Sequence, residues 1–403
     1  MEDGVLYNVQ KTKMVSKVVF IGYQPITAKV KKDFYFQNLI ENNIQISYWD
    51  LTEIYFKNVI FNTQLTDDCV IEIDSLDKFK NLLIKQDIIS TIFITNITLE
   101  YRVLKLYKIL SYYECRTLFF ARGALPNGIN KKNVNFFVLK LKKVVSFNSG
   151  LNFLGNKYTL LLKKAQIIRH FSIVFRAGKF GLKTIGIGCE IEENKSQIID
   201  VNSFDFDDFV HKNNCARILD SNYCLYLDEY LPFHPDFQMF NIKTIDHENF
   251  YKALNSFFYF IEKKYNIEVV IAAHPKAEKY KSKDFFRGRR VYFNRTAELC
   301  RYADFVIGHN STSISFAVLN IKPIILLYNE SIKKLMPDFY QLIVNYSNIL
   351  GVNCFDFEEE DSDIKIYNPD KFKYLDFKYK YLTSKESESR LSSEIFIQTI
   401  LSI

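Results

Sequence analysis

Two short segments in the C-terminal half of the chain carry side chains that can bind a phosphate. The first is His274-Pro275-Lys276, and the second, Asn310-Ser311-Thr312-Ser313, follows about 35 residues later. Hydroxyl groups and the backbone N–H groups of a helix start bind anions, and a histidine N–H can donate to the same group. The pair of segments therefore predicts an anion site, in which His274 stabilises the charge that develops on a departing nucleotide.

The elements around these segments place both of them at one edge of a sheet. Residues 268–272 and 305–308 are predicted strands that end shortly before the two segments, and a helix is predicted over residues 313–319. Ligands of open α/β sheets bind beyond the carboxyl ends of the strands. We therefore expect the two loops to face one pocket.

A third predicted strand, residues 223–227, ends at two carboxylates. At a cleft between two domains, such a carboxylate can take the proton from the hydroxyl group of an acceptor. Asp228 is the first candidate for this base because it is nearer the strand end, and Glu229 is the second, although Asp228 could equally cap a turn. His234, later in the same loop, is a third candidate for an acid or base and a candidate for contacting an acceptor. Arg122, in the turn after residues 117–120, is a second candidate for contacting an acceptor, since arginine suits bidentate contacts with anions.

Strands and helices alternate along the whole chain, which predicts two doubly wound, Rossmann-like units. In the first unit the predicted strands are residues 15–21, 44–48, 91–94, 117–120 and 184–188, and the predicted helices are 30–41, 99–113 and 157–171. In the second unit a helix follows Asp246 as its N-cap, a strand surrounds Val291, a helix is capped by Thr296, and residues 323–327 form a further strand. Residues 386–401 are predicted to form a closing helix.

Length and composition agree with two domains. A chain of 403 residues is too long for one ordinary core, and 48% apolar with 25% charged residues is typical of a folded globular protein. We expect an N-terminal domain over residues 1–210, a C-terminal domain over 211–385 and the closing helix over 386–403. The acidic run 356–363 is predicted to be a solvated loop.

Positive charge is concentrated in one segment. Residues 116–189 contain 14 Lys or Arg and no Asp or Glu, so the rest of the chain is mildly acidic although the whole carries +7. Interleaved with apolar residues, this basic belt suits an anionic membrane surface or a phosphorylated, lipid-linked acceptor, and a solvated helix face is an equally open interpretation. Nucleic acid is not expected, because no motif for binding it accompanies the charge.

The remaining sequence signals concern location and cofactors. The N-terminus lacks the pattern of a secretory signal, and no apolar run approaches the roughly 20 residues of a membrane span. The seven cysteines are scattered, without a Cys-x-x-Cys spacing, which argues against disulfides or structural zinc. We expect a cytoplasmic protein, at most peripheral on the inner face of the membrane, without NAD or ATP chemistry because glycine-rich dinucleotide and Walker motifs are missing.

The pairing of His274-Pro275 with Ser311-Thr312-Ser313 resembles the His-Pro and Ser-Ser/Thr motifs of bacterial GT-B glycosyltransferases that use CMP-sugars. That group includes sialyltransferases, polysialyltransferases and Kdo transferases. The resemblance covers about 60 residues of the second unit and the two-domain layout. It implies transfer of an acidic sugar, of the Kdo or nonulosonic (sialic acid) type, from a CMP-sugar to a saccharide acceptor in lipopolysaccharide, lipooligosaccharide or capsule synthesis.

The same resemblance implies roles for individual residues. In this group the histidine and the hydroxyl motif hold the CMP phosphate, which assigns that role to His274, with Pro275 and Lys276 in its loop, and to Ser311, Thr312 and Ser313. Glu298 and Asn310 are implied contacts to the nucleoside or ribose. No metal and no cofactor other than the nucleotide-sugar donor is expected.

Three other functions fit parts of the pattern. Polyol-phosphate transferases that use CDP-glycerol also show a His-Pro and a later Ser-Ser, but usually with Asp-Tyr before the serines, where this chain has His309-Asn310. Sugar-nucleotide epimerases use two Rossmann-like domains and favour UDP, and a non-catalytic scaffold of glycan assembly would keep only the fold.

Asp205-Phe206-Asp207 spells the DxD of metal-dependent glycosyltransferases, but it lies in a stretch that alternates like a connector or a helix start.

Overall fold

The first of two parallel sheets is built from the N-terminal half of the chain. The computed structural model describes residues 14–57, 67–126, 147–212, 215–234, 237, 243–359 and 363–403. Seven strands form this sheet: β1 (Lys17–Gly22), β2 (Gln45–Asp50), β3 (Val70–Glu72), β4 (Thr91–Thr95), β5 (Thr117–Ala121), β6 (Ile173–Ala177) and β7 (Gln197–Val201). Their spatial order is β3-β2-β1-β4-β5-β6-β7. β4 and β5 are buried along their whole length, which is why they are continuous apolar runs in the sequence.

The second sheet is built from six strands: β8 (Tyr223–Leu227), β9 (Glu268–Ala273), β10 (Val291–Phe293), β11 (Val306–Gly308), β12 (Ile324–Tyr328) and β13 (Asn353–Asp356). Their order, β10-β9-β8-β11-β12-β13, is the 3-2-1-4-5-6 order of the Rossmann fold, and the first sheet has this order with one strand added. The expected α/β GT-B class, with two Rossmann-like units, is confirmed.

Helices cover both faces of the sheets. In chain order they are α1 (Ala28–Asp33), α2 (Phe36–Glu41), α3 (Thr52–Tyr55), α4 (Leu76–Ile84), α5 (Leu104–Tyr112), α6 (Phe147–Lys164), α7 (Cys189–Lys195), α8 (Phe204–His211), α9 (His247–Tyr265), α10 (Thr296–Tyr302), α11 (Ile314–Leu319), α12 (Glu330–Leu335), α13 (Pro337–Leu350), α14 (Lys371–Phe377) and α15 (Ser392–Ser402). Alternate residues of β1 enter different cores: Val19 and Ile21 one, Val18 and Phe20 the other. This alternation is the period of two expected of a strand covered on both faces.

Two predicted elements of the first unit differ from the structure. The helix predicted over 30–41 is broken at Tyr35, whose left-handed backbone (φ 59°) separates α1 from α2. Residues 184–188 are not a strand, because Gly186 and Gly188 adopt positive φ angles of 87° and 82° and a 3-10 turn occupies Gly181–Ile185. The β-branched residues there favoured a strand, but glycines with positive φ end it.

The region between residues 157 and 201 contains further differences. The helix predicted over 157–171 is the end of α6, which stops at Lys164. Strands β6 and β7 were not predicted from the sequence, and neither was α7, which lies between them.

Helix starts in the second unit were predicted with mixed success. Asp246 is the N-cap of α9, as predicted, because its side chain accepts a hydrogen bond of 2.9 Å from the Asn249 N–H. The prediction that Thr296 caps α10 is wrong, since Thr296 is the first helical residue and Arg295 precedes it without a side-chain cap.

The C-terminal helix packs against the first sheet rather than the second. The ring of Phe396 in α15 lies 5.3 Å from that of Phe120 and 5.4 Å from that of Phe175. The helix begins later than predicted, at Ser392, because the preceding residues form turns in which Ser387 donates to the Val201 carbonyl. The chain therefore crosses back to its first half after completing the second.

None of the helices in the described residues is long and apolar enough to cross a membrane.

Candidate functional site

A cavity of about 610 Å³ is lined by residues from the loops and helices of both Rossmann-like units. From the second unit it receives the His-Pro loop, the hydroxyl-rich loop and Asp228. From the first unit it receives Lys29 and Lys32 of α1 and the loop after β5 at Gly123. A cleft formed in this way between two Rossmann-like units is a common position for a ligand site.

The second sheet brings the three predicted segments together at its carboxyl edge. Strand β8 lies between β9 and β11, with Leu227 paired to Ala272 and Tyr226 paired to Ile307. The chain order reverses between β8 and β11, and ligands of Rossmann-like sheets bind at such a switch point. The expectation that both loops face one pocket therefore agrees with the geometry.

The ring of His274 is oriented by its own loop. The Lys276 N–H donates a hydrogen bond of 3.2 Å to Nδ1 of His274, so the neutral ring carries its proton on Nε2. The ring of His234 lies 4.8 Å from that of His274, centroid to centroid. His274 is thus held as an Nε2–H donor, and His234 lies beside it.

The hydroxyl-rich loop forms a turn that leads into α11. The Ser313 N–H donates to the Ser311 hydroxyl at 3.2 Å, and the Ile314 N–H donates to the Ser311 carbonyl at 3.1 Å. Thr312 is exposed, and all three residues from Ser311 to Ser313 line the cavity.

Asp228 is a buried carboxylate at the junction of these loops. It accepts hydrogen bonds from the His274 N–H (3.2 Å), the Tyr230 N–H (3.1 Å) and the Tyr280 hydroxyl (3.0 Å), which in turn lies 2.6 Å from the Tyr251 hydroxyl. Burial raises the pKa of Asp228 to about 6, and these donors oppose the rise. The carboxyl group lines the cavity, and its raised pKa makes it a stronger base than an ordinary aspartate.

Glu229 and Asn310 have structural contacts behind the cavity. Glu229 accepts a hydrogen bond of 2.7 Å from the Asn310 N–H, and its pKa is raised to about 8 by burial. The Asn310 side chain donates to the Phe339 carbonyl at 3.2 Å. Neither residue is among those lining the cavity, so Glu229 holds the hydroxyl-rich loop from below instead of facing a ligand.

Glu298 lies at the margin of the cavity with its carboxylate paired. Lys212 lies 3.2 Å from one carboxylate oxygen and Arg295 lies 3.0 Å from the other. The neighbouring residues Thr296 and Ala297 line the cavity, as does Lys212. Glu298 is thus paired with a lysine of the cavity wall and does not itself line the cavity.

Arg122 is buried away from any acceptor. Its side chain is 1% exposed and pairs with Asp207 at 2.7 Å. A second nitrogen donates to the Tyr35 hydroxyl, and the guanidinium lies 3.8 Å from the centre of the Phe204 ring. Arg122 therefore joins the loop after β5 to α8 and to the break between α1 and α2, and the expected contact with an acceptor is not available to it.

The two aspartates of the DxD segment have different surroundings. Asp205 lines the cavity and accepts a hydrogen bond of 2.6 Å from the Ser315 hydroxyl, whereas Asp207 is held by Arg122. Burial raises the pKa of Asp205 to about 6. Within the described residues no group of three His, Cys, Asp or Glu side chains is arranged to hold a metal.

Several cavity residues were not predicted. Lys29 and Lys32 of α1 lie 2.9 Å from Asp33 and 2.5 Å from Asp208, respectively. Nothing in the sequence links the first helix of one unit to loops of the other. Ser315 does not line the cavity but donates to Asp205, which does. It had a signal in the sequence, since it continues the Ser311, Ser313 alternation into the first turn of α11.

Comparisons with known proteins give only distant similarities. No protein-family model and no curated protein matches the chain. Among solved structures it is similar to the UDP-GlcNAc 2-epimerase of Methanocaldococcus jannaschii, at 13% identity over 96% of this chain and 99% of that one, with a TM-score of 0.46. It is also similar to the glycotransferase of kitacinnamycin, at 8% identity over 96% and 93% of the chains (TM-score 0.46), and to the wall teichoic acid polymerase TagF, at 11% identity over 95% and 82% (TM-score 0.37).

Proposed function

We propose that this chain is a glycosyltransferase that transfers an acidic sugar, of the Kdo or nonulosonic type, from a CMP-sugar donor to a saccharide acceptor of a bacterial surface glycan. The observation that carries the proposal is the convergence of His274, the Ser311–Ser313 turn and Asp228 on one cavity at the switch point of the second sheet. The choice of CMP rests on the resemblance of the His-Pro and Ser-Thr-Ser motifs to CMP-sugar enzymes.

The donor phosphate is proposed to lie between the two loops. His274 presents its Nε2–H as a hydrogen-bond donor, because its Nδ1 accepts from Lys276. Ser311, Thr312 and Ser313 supply hydroxyl groups from the other side of the cleft. Donors that are already oriented stabilise the charge that develops on the phosphate without reorganising during the reaction. The proposed reaction therefore needs no metal for this step.

Asp228 is the proposed base. It takes the proton from the acceptor hydroxyl, the acceptor oxygen bonds to the anomeric carbon, and the bond from that carbon to the phosphate oxygen breaks, leaving CMP. With a pKa raised to about 6, Asp228 is ionised at neutral pH and remains a stronger base than an ordinary aspartate. Glu229 is proposed to position the hydroxyl-rich loop through Asn310 rather than to transfer a proton.

The acceptor is proposed to enter from the first unit. Lys29, Lys32 and the loop at Gly123 form that side of the cavity, and His234 lies beside His274 on the other. An acceptor bound there faces both the base and the donor phosphate. The first experiment addresses the donor.

The test is a panel of nucleotides and donors on the purified chain. We expect CMP to raise the melting temperature more than UDP or CDP-glycerol does, and CMP-Kdo or CMP-sialic acid to be hydrolysed in the absence of acceptor. Preference for UDP with epimerisation of a UDP-sugar would replace the proposal with the epimerase, and release of CMP from CDP-glycerol with transfer of glycerol phosphate would replace it with the polyol transferase. If the protein binds none of these nucleotides, the non-catalytic scaffold is the remaining function.

A matched pair of variants separates the site from non-specific effects. His274→Ala removes the proposed phosphate donor, whereas His211→Ala removes an exposed histidine at the end of α8. Loss of CMP stabilisation in the first variant and its retention in the second would tie binding to the cleft. Equal behaviour of the two variants would argue against the cleft as the donor site.

A further inference from the structure

Some of the basic side chains in the segment 116–189 form ion pairs within the protein. Lys163 pairs with Glu192 in the interior, and Arg176 pairs with Asp200 at 2.8 Å. Their partners, like that of Arg122, come from the chain after residue 189. Residues 127–146, with five of its lysines, lie outside the described residues. Among the described residues, the solvent-exposed charge of the segment therefore comes largely from its other lysines and arginines.

Helices α5 and α6 lie side by side and form one surface. At one end the Tyr101 N–H, in the turn before α5, donates to the Asn156 side chain of α6 at 2.9 Å. At the other end the Arg169 N–H, just after α6, donates to the Ser111 hydroxyl of α5 at 2.9 Å. The two helices therefore run in the same direction, and we call their outer surface the α5–α6 face.

The α5–α6 face exposes large apolar and aromatic side chains. Leu154 and Leu161 are each 63% exposed, and Tyr158 and Tyr101 are 49% and 45% exposed. Residues 154, 158 and 161 follow helical spacing along one side of α6, whereas Gly155, Thr159 and Leu162, on the neighbouring side about 100° around the helix, are buried. An apolar stripe that points away from the core of its own domain marks an interaction surface.

Only positive charges accompany this stripe. Lys105 and Lys108 of α5 and Lys157 and Lys164 of α6 are exposed, and no Asp or Glu occurs between residues 101 and 112 or between 147 and 170. The acids nearest in sequence, Glu100 and Glu114, are paired with Arg102 and Arg169. A face of leucines and tyrosines bordered by lysines is complementary to the headgroup region of an anionic bilayer.

We propose that the α5–α6 face docks the protein onto an anionic lipid bilayer. The leucines enter the boundary between headgroups and acyl chains, the tyrosines lie at the level of the headgroups, and the lysines contact their phosphates. An anionic lipid surface fits better than a protein partner because the lysines carry no acidic counterparts within the face. This inference does not depend on the proposed donor, since docking involves neither the cavity nor its loops.

The test is co-sedimentation of the full chain with vesicles. We expect binding to phosphatidylcholine vesicles that contain 30% phosphatidylglycerol, weak binding to pure phosphatidylcholine, and release as salt rises to about 0.5 M, because screening shortens the reach of surface charges. Lys157→Glu with Lys164→Glu should lower the partition coefficient at least about tenfold, since each lysine near an anionic surface contributes measurably. Leu154→Ser with Leu161→Ser should lower it to a similar extent while reducing the salt dependence less.

Controls come from exposed residues of the second unit. Lys333→Glu with Lys334→Glu changes the same charge, and Phe372→Ser removes a ring that is 86% exposed; both should bind vesicles as the parent does. Far-UV circular dichroism and the melting temperature of each variant check that it is folded. Equal binding by the α5–α6 variants and the controls would overturn the proposal. A change of oligomeric state in the α5–α6 variants, without vesicle binding by the parent, would identify the face as a subunit interface instead and would overturn it as well.

Discussion

The backbone N–H of His274 donates a hydrogen bond of 3.2 Å to Oδ2 of Asp228. His274 follows β9 and Asp228 follows β8, so this bond joins the ends of two neighbouring strands. The proposed base therefore also fixes the backbone of the residue proposed to hold the leaving phosphate. A change at Asp228 acts on both functions unless the replacement still accepts this bond.

Asp228→Asn is expected to separate these two roles. The amide oxygen can still accept from the His274 N–H, so the link between the two strand ends is kept. The amide nitrogen that replaces Oδ1 no longer accepts from the Tyr230 N–H, and the side chain can no longer take a proton. We expect turnover with acceptor to fall by about 10² to 10⁴, the usual contribution of general acid–base catalysis, with CMP binding changed by about twofold or less. Steady-state kinetics and calorimetric titration with CMP measure the two quantities. Near-normal turnover would remove Asp228 as the base.

Tyr280→Phe is expected to shift the pH profile of the same reaction. The Tyr280 hydroxyl donates to Asp228 at 3.0 Å and lowers its pKa, so its loss raises that pKa further above 6. The base must be ionised, and the acid limb of the kcat profile should therefore move to higher pH. A Tyr302→Phe variant, whose hydroxyl bonds to the Cys215 carbonyl elsewhere, should leave the limb unchanged. An unmoved limb in Tyr280→Phe would show that another group controls it.

His274→Ala is expected to lower turnover by about 10² or more, since stabilisation of developing charge by a positioned donor is of that size. His274→Gln restores an N–H donor on a side chain of similar reach and should recover part of the loss. Single-turnover rates with the CMP-sugar measure the effect on bond cleavage directly. If the alanine variant cleaves the donor at a normal rate, the histidine has no part in the mechanism.

The edge of the second sheet could be predicted from the sequence, but the direction of each side chain could not. Loops that follow β8, β9 and β11 must lie together because neighbouring parallel strands end at the same edge. Asp228 and Glu229 are adjacent, and their side chains lie on different sides of that edge, one in the cavity and one under the hydroxyl-rich loop. No local signal tells which of two consecutive carboxylates takes which side.

Long-range pairs were the other limit of prediction. Arg122 lies 85 residues from Asp207, and Lys29 reaches the cavity from a helix that begins the other unit. Such contacts depend on how the two units pack. The strand predicted over residues 184–188 failed for a local reason, since Gly186 and Gly188 adopt positive φ angles, and the strands β6 and β7 lie before and after it.

The Arg122–Asp207 pair is expected to support stability and not acceptor binding. Arg122→Met leaves a largely buried carboxylate without its cation, which typically costs about 3 to 5 kcal/mol. Adding Asp207→Asn removes that charge, so the double variant should be less destabilised than the sum of the single variants. Urea unfolding of the four proteins gives the coupling energy, and acceptor KM measured at low temperature should stay near the parent value. If the two single variants lose stability additively and the acceptor KM is raised, Arg122 contacts the acceptor after all.

The raised pKa of Glu229 makes the free energy of unfolding depend on pH. Burial raises its pKa to about 8, from about 4.3 in an unfolded chain. Between these values the folded state binds the extra proton, so the stabilisation is complete below about pH 4 and is lost as the pH rises through 8. Asp228 and Asp205 act in the same direction, but only up to about pH 6. The raised pKa of Glu229 therefore predicts a further fall in stability from pH 6 to pH 8.5, an interval that the pKa values of Asp228 and Asp205 do not reach.

Glu229→Gln is expected to flatten this dependence, because glutamine resembles the protonated acid and does not titrate. Thermal unfolding should show the parent losing stability from pH 6 to pH 8.5, by at most about 1.4 kcal/mol per pH unit for one proton. The variant should lose less and exceed the parent at pH 8.5. Glu193→Gln, on an exposed position of α7, should follow the parent. Parallel curves for Glu229→Gln and the parent would mean that Glu229 is already ionised in the folded protein at neutral pH.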